Sequence, residues 1–99
     1  MVITLYEGEE NNLLEEEVEL LKLMAHPVRI NIVNELIKYK KLNVTQITQI
    51  LKIPQSTTSQ HLSKLKKTIL RADRRGLEVY YSVKNIRAHK IIEILKHTQ

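Results

Sequence analysis

Near residue 70 the hydrophobic period of this chain changes. Up to that point apolar residues recur every three or four positions, as on helices with one buried face. Over 77–83, Leu77, Val79, Tyr81 and Val83 alternate with Glu78, Tyr80 and Ser82, the two-residue period of a half-covered strand. Leu70 and Ala72 make a short run ahead of it, and Arg74-Arg75-Gly76 reads as the turn between them. Helical spacing resumes near Asn85, with Ala88, Ile91, Ile92 and Leu95 on one face. A 99-residue chain with helices on both sides of one hairpin is confined to a single small, mainly α domain.

Upstream of the hairpin the spacing predicts four helices. The first runs from about Asn12 to Ala25, with Leu14, Val18, Leu21 and Ala25 on one face and Leu13, Leu20 and Met24 widening it. So broad an apolar arc calls for two neighbours, one from another chain. His26-Pro27 breaks the helix, and Pro27 suits the first turn of the next, which buries Val28, Ile32, Leu36 and Ile37. His26 is read as structural. Asn43 or Thr45 caps a short third helix over roughly 45–51, holding Ile47, Ile50 and Leu51. After Lys52-Ile53-Pro54 comes the fourth, IPQSTTSQHLSKLKK (53–67), with Thr58, Leu62, Leu65 and Ile69 as its inward stripe. Residues 2–6, VITLY, suit a short strand or an extended arm.

Charge divides the chain. Seven of its eleven acidic residues lie in 1–20, which hold no Lys or Arg; beyond them sixteen basic residues face only Glu35, Asp73, Glu78 and Glu93. An acidic N-terminal arm, 1–11, is thus expected on a basic body, 12–99, suited to a polyanion. The absence of cysteine excludes disulfides and thiolate metal sites. The first ten residues lack the basic and apolar parts of a secretory signal, and no apolar run approaches the ~18 residues of a membrane span. The expected location is the cytoplasm, with no membrane partner.

The fourth helix is odd because hydroxyl residues, mediocre helix formers, fill its first two turns. Capping accounts for Ser56 and Thr57. It does not account for a polar face that continues through Ser63 to Lys64 and Lys67 and is followed by an arginine-tipped hairpin. Double-stranded DNA does. In a winged helix-turn-helix the second helix of the pair enters the major groove. Short side chains permit close approach there, and Gln pairs bidentately with adenine. Gln55, Ser56, Thr57, Ser59, Gln60 and His61 are the candidate base-reading residues. Lys64 and Lys67 are candidates for phosphates, and Arg74 and Arg75 for backbone or minor groove.

LKLMAHPVRINIV (21–33), VTQITQILKIPQSTTSQHLSKL (44–65) and RRGLEVYYSV (74–83) together resemble the ArsR/SmtB family of bacterial winged-helix repressors. The resemblance covers most of 20–97. It implies a fold that is mainly α with a β-hairpin wing, in the order α-α-α-α-β-β-α. It also implies a homodimer joined through the first and last helices, acting as a sequence-specific repressor on a palindromic operator. Leu13, Leu14, Val18, Leu21, Ile91, Ile92 and Leu95 are the candidate interface residues.

Many members of that family sense metals, and this chain departs from them at the ligands. The third-helix Cys-x-Cys box is replaced by Asn43-Val44-Thr45, and the Asp-x-His at the start of the last helix by Asn85-Ile86-Arg87. Neutral oxygens replace soft thiolates, and a guanidinium cannot ligate a cation. His89 and His97, eight apart, read as surface residues. No metal and no cofactor are expected. The chain also lacks the glycine that usually stops the recognition helix before the wing, running Lys66-Lys67-Thr68-Ile69-Leu70.

The competing class is a protein-interaction module that uses the acidic helix or the apolar arc and neglects the basic face. Enzymatic function is remote, because Ser56 and His61 sit on an exposed helix turn with no orienting carboxylate.

Overall fold

The computed structural model describes residues 9–97, with side chains from Glu15 onward. Its elements are α1 (Glu9–Met24), α2 (Pro27–Tyr39), β1 (Leu42–Asn43), α3 (Val44–Leu51), α4 (Gln55–Leu65), β2 (Leu70–Arg75), β3 (Glu78–Val83) and α5 (Ile86–His97). The strand suggested for 2–6 and most of the acidic arm lie outside the described residues. So do the side chains of Leu13 and Leu14. Helix α1 begins at Glu9 rather than near Asn12, so it takes in the last residues of the expected arm.

Local chemistry sets each boundary. His26 is the N-cap of α2, its Nδ1 accepting from the Val28 amide at 3.2 Å, with Pro27 at the first helical position. Asn43 and Gln46 make a reciprocal capping box on α3: Asn43 Oδ1 accepts from Gln46 N at 2.8 Å, and Gln46 Oε1 from Asn43 N at 2.9 Å. Lys52 ends α3 in the left-handed region, φ 57°, its amide donating to the Thr48 carbonyl at 2.8 Å.

Helix α4 is shorter than the 53–67 expected. It starts after Pro54 and gives way at Lys66 to a turn over 66–69. With no glycine to stop it, the chain is held by Asn85 instead. Asn85 Nδ2 donates to the Thr68 carbonyl at 3.2 Å, while its Oδ1 caps α5 by accepting from Arg87 N at 2.9 Å and Ala88 N at 3.1 Å.

The sheet has three antiparallel strands in the order β1-β3-β2. The hairpin was expected, but β1 was not: Leu42 pairs with Tyr81 and Asn43 with Tyr80. The turn also starts two residues later than expected. Arg74 and Arg75 are still strand, paired with Val79 and Glu78, and the tip is Gly76-Leu77. Gly76, at φ 64°, supplies the left-handed backbone of that turn. Leu77, read as a strand residue, is 97% exposed at the tip.

The core gathers Ile32, Val33 and Leu36 of α2, Ile47 of α3, Leu62 and Leu65 of α4, Ile69 and Leu70, and Ala88 and Ile92 of α5. On α1 the arc divides: Leu20 and Met24 are buried, whereas Val18 and Leu21 are exposed. Among the expected interface residues, Ile92 is a correction. It is 2% exposed within the protomer's own core, and Ile94 takes its place on the outer face at 61%.

Candidate nucleic-acid interface

Helix α4 presents two unlike faces. Thr58, Leu62 and Leu65 point inward and are buried. Gln55, Ser56, Ser59, Gln60, Ser63 and Lys64 are exposed, and Thr57 and His61 lie half-buried at the margin. Positions 56, 59, 60 and 63 follow the three- and four-residue spacing of one helix face.

The hydroxyls serve two different purposes. Thr58 is the one buried polar residue of α4, with Thr48 Oγ1 donating to its Oγ1 at 2.9 Å while it donates to the Pro54 carbonyl at 3.4 Å. That bond ties α4 to α3 inside the helix pair. Ser56 and Thr57 do not cap the helix, because the N-cap is Pro54 and no side chain bonds there. Capping therefore leaves the polar face unexplained. Its side chains are short, outward and available to a partner.

Arg29 was missed by sequence reasoning and organises one edge of this face. From α2 its Nε donates to His61 Nδ1 at 3.2 Å and its Nη1 to the Leu23 carbonyl at 3.3 Å, so one guanidinium joins α1, α2 and α4. The His26 ring lies 4.5 Å from that of His61, tilted by 55°. Burial, then the nearby His26 and Arg29, hold the His61 pKa below the usual histidine value. Arg29, Ser59, Gln60, His61, Ser63 and Lys64 line an open depression of about 550 Å³. Its signal in the sequence is slight, since Arg29 and His61 lie 32 positions apart.

Lys67 is exposed in the turn after α4, and Arg74 and Arg75 are exposed at the end of β2. Successive strand residues point to opposite faces, so the two arginines diverge. Arg74 Nη1 donates to the Gly76 carbonyl at 3.4 Å, bracing the tip. From Leu36 to Ala72 the chain holds no acidic residue, so α3, α4 and their flanks carry only positive charge.

The positions that matched metal boxes have other duties here. Asn43 is committed to the α3 capping box and Asn85 to the α5 cap and Thr68. Among the described residues no three His, Cys, Asp or Glu gather to hold an ion. His89 pairs with Glu93 on its own helix at 3.8 Å. Nor is any described helix long and apolar enough to cross a membrane.

A helix pair whose second member shows a small-residue polar face, followed by a basic two-stranded wing, defines a winged-helix DNA-binding regulator. Residues 26–68 match the bacterial regulatory protein, arsR family. The chain is 58% identical over 86 residues to the transcriptional repressor PagR of Bacillus anthracis, covering 87% of each. It is 32% identical over 84 residues to the regulator YgaV of Escherichia coli, covering 84% of this chain and 85% of that one. The PagR crystal structure superposes with a TM-score of 0.83, over 87% of this chain and 99% of that one. NolR from Sinorhizobium fredii, 29% identical, superposes at 0.82 over 93% and 92%. This chain belongs to the arsR family of bacterial regulatory proteins, and so is a transcriptional regulator and not an enzyme.

Proposed function

We propose that the protein represses transcription in the cytoplasm as a homodimer, two copies of α4 entering successive major grooves of a palindromic operator about 34 Å apart. The observation that carries this is the outer face of α4. Its hydroxyl and amide side chains are exposed, unused in capping, and flanked only by positive charge. Gln55, Ser56, Thr57, Ser59, Gln60 and His61 read bases, Gln60 as the bidentate partner of adenine. Lys64, Lys67, Arg74 and Arg75 contact the backbone, with the Gly76-Leu77 tip directed to the minor groove. The repressor name carried by PagR supports the direction of the effect.

The dimer reading draws on the divided arc of α1. Leu20, Leu21, Ile91 and Ile94 line an apolar groove of about 300 Å³ between α1 and α5. Val18 and Leu95 are also exposed beside it. The commitment of Asn43 and Asn85 to caps supports a repressor that works without the metal sites of its family.

Selection of bound duplexes from a random DNA pool tests the proposal. A two-fold symmetric consensus is expected. Gln60→Ala is expected to lower affinity for it by about 1–3 kcal/mol and relax the preference at one position per half-site. A pool that emerges unenriched, or a Gln60→Ala protein with undiminished preference, removes the base-reading role.

A further inference from the structure

We propose that Lys41, Gln46, Arg75 and Tyr80 form a seat for a DNA backbone phosphate on the outer face of the wing, apart from the base-reading face of α4. The seat rests on the DNA-binding reading above and deepens it: it gives Arg75 three partners, Lys41, Gln46 and Tyr80, in one sequence-blind contact.

Strand register places these groups together. Tyr80 stands opposite Asn43 on one side and Asp73 on the other, and directly opposed residues share a face. Steps of two then put Arg71, Arg75, Glu78 and Ser82 on that same outer face. Leu42, Leu70, Ala72, Arg74, Val79, Tyr81 and Val83 take the other. Lys41 precedes β1, and Gln46 reaches over from the first turn of α3. The four residues line an open depression of about 370 Å³.

Each of the four offers a donor. The Gln46 carbonyl oxygen is occupied by the Asn43 amide, which leaves the NH₂ end of its side chain for a ligand. Lys41 and Arg75 bring charge and Tyr80 a phenolic hydroxyl. Asp73 and Glu78 are the carboxylates on this face, against Lys41, Arg71 and Arg75. Asp73 is already shared, at 3.8 Å from Lys41 Nζ and 3.3 Å from Arg71 Nε, while Arg75 makes no ion pair among the described residues. The balance is cationic. An open, donor-lined hollow suits the edge of a polyanion better than a small ligand, which needs enclosure. Arg74 and Arg75 on opposite faces also let the wing hold backbone on each side of its tip.

The test follows fluorescence anisotropy of the full chain on its selected operator and on a shuffled duplex, between about 50 and 200 mM KCl. Lys41→Gln with Tyr80→Phe is expected to weaken both duplexes by the same factor, roughly five- to tenfold. The salt slope should become shallower by about 0.9, one phosphate's share. Because Tyr80 is half-buried, Lys41→Gln alone, at an exposed position, carries the same slope prediction. Adding Asp73→Asn removes the carboxylate that Lys41 had faced. A triple variant that stays weak and shallow supports the seat, whereas recovery to wild-type binding assigns the loss to Asp73 and overturns it. An unchanged slope overturns it as well, and so does a loss confined to the operator. A wild-type chain that does not distinguish the two duplexes fails the function proposed above; variants that match a discriminating wild type fail only the seat.

Discussion

His61, at the margin of the polar face of α4, shows how one side chain ties the fold to pH. Its Nδ1 accepts from Arg29, whose guanidinium is always a donor, so the neutral ring carries its proton on Nε2. Protonation at Nδ1 would set two donors face to face and bring a positive charge beside His26 and Arg29. Burial and those two neighbours lower its pKa in the folded protein, while the unfolded chain keeps the ordinary value near ~6.5. The unfolded state therefore takes up the proton first as pH falls. This contribution to stability is complete above about pH 6.5 and is lost as pH drops through that value toward the folded pKa. Urea midpoints taken from about pH 7.5 down to 5 should fall more steeply for wild type than for His61→Gln, whose amide oxygen still accepts from Arg29 but does not titrate. Parallel curves would place the pH dependence in other groups. Thr58 makes a simpler case. Thr58→Val keeps the shape but loses the bond to Thr48, and should cost about 1 kcal/mol in urea unfolding; an unchanged midpoint would show that the bond does not hold α4 in place.

At the scale of elements, two asparagines at the positions matching the metal boxes act as helix caps. Asn85 caps α5 and ties its start to the turn after α4. Asn85→Ala should destabilise the protein by about 1–2 kcal/mol, read from urea unfolding. Asn85→Asp should cost less, since a carboxylate still accepts at the helix start and complements its dipole; equal losses would assign the effect to the Thr68 contact. Helix existence was legible from spacing alone, because Ile32, Leu36, Ile47, Leu62 and Leu65 occupy the faces their periods give, although Ile50 is exposed and Ile69 is buried from the turn after α4. What escaped was structure made by pairing. Two residues of β1 carry no period, and their strand exists only because Leu42 and Asn43 lie beside β3. The exact turn followed from register, which moved Arg74 and Arg75 onto opposite faces. In the same way the polar face of α4 was readable from residue types, whereas Arg29 beneath His61 and Lys41 beside Tyr80 depend on contacts distant in sequence.

A repressor of the proposed kind needs a second copy at a fixed spacing. If one α4 reads a few bases, affinity for an operator rises when the second is held in place, since its binding becomes effectively intramolecular. The surface to hold it lies opposite the basic face in character: α1 and α5 expose Leu21 and Ile94 along one groove, edged by Glu17, Arg87 and Lys90. Arg87 reaches Glu17 at 3.5 Å across that groove, a surface ion pair between the two helices. An apolar platform with both signs of charge at its rim suits a second copy, because under a two-fold axis an acidic edge meeting a basic one is repeated twice. Leu21→Glu with Ile94→Glu places four carboxylates in that contact, two per protomer. Both residues are exposed, at 55% and 61%, so the protomer should keep its helical signal and its thermal midpoint at low concentration. Sedimentation at micromolar concentration should then show a monomer where wild type is a dimer. Operator affinity should fall by about 100-fold or more, while the residual salt-dependent binding to unrelated DNA loses much less. A variant that still sediments as a dimer and grips its operator would mean that the copies meet on another surface.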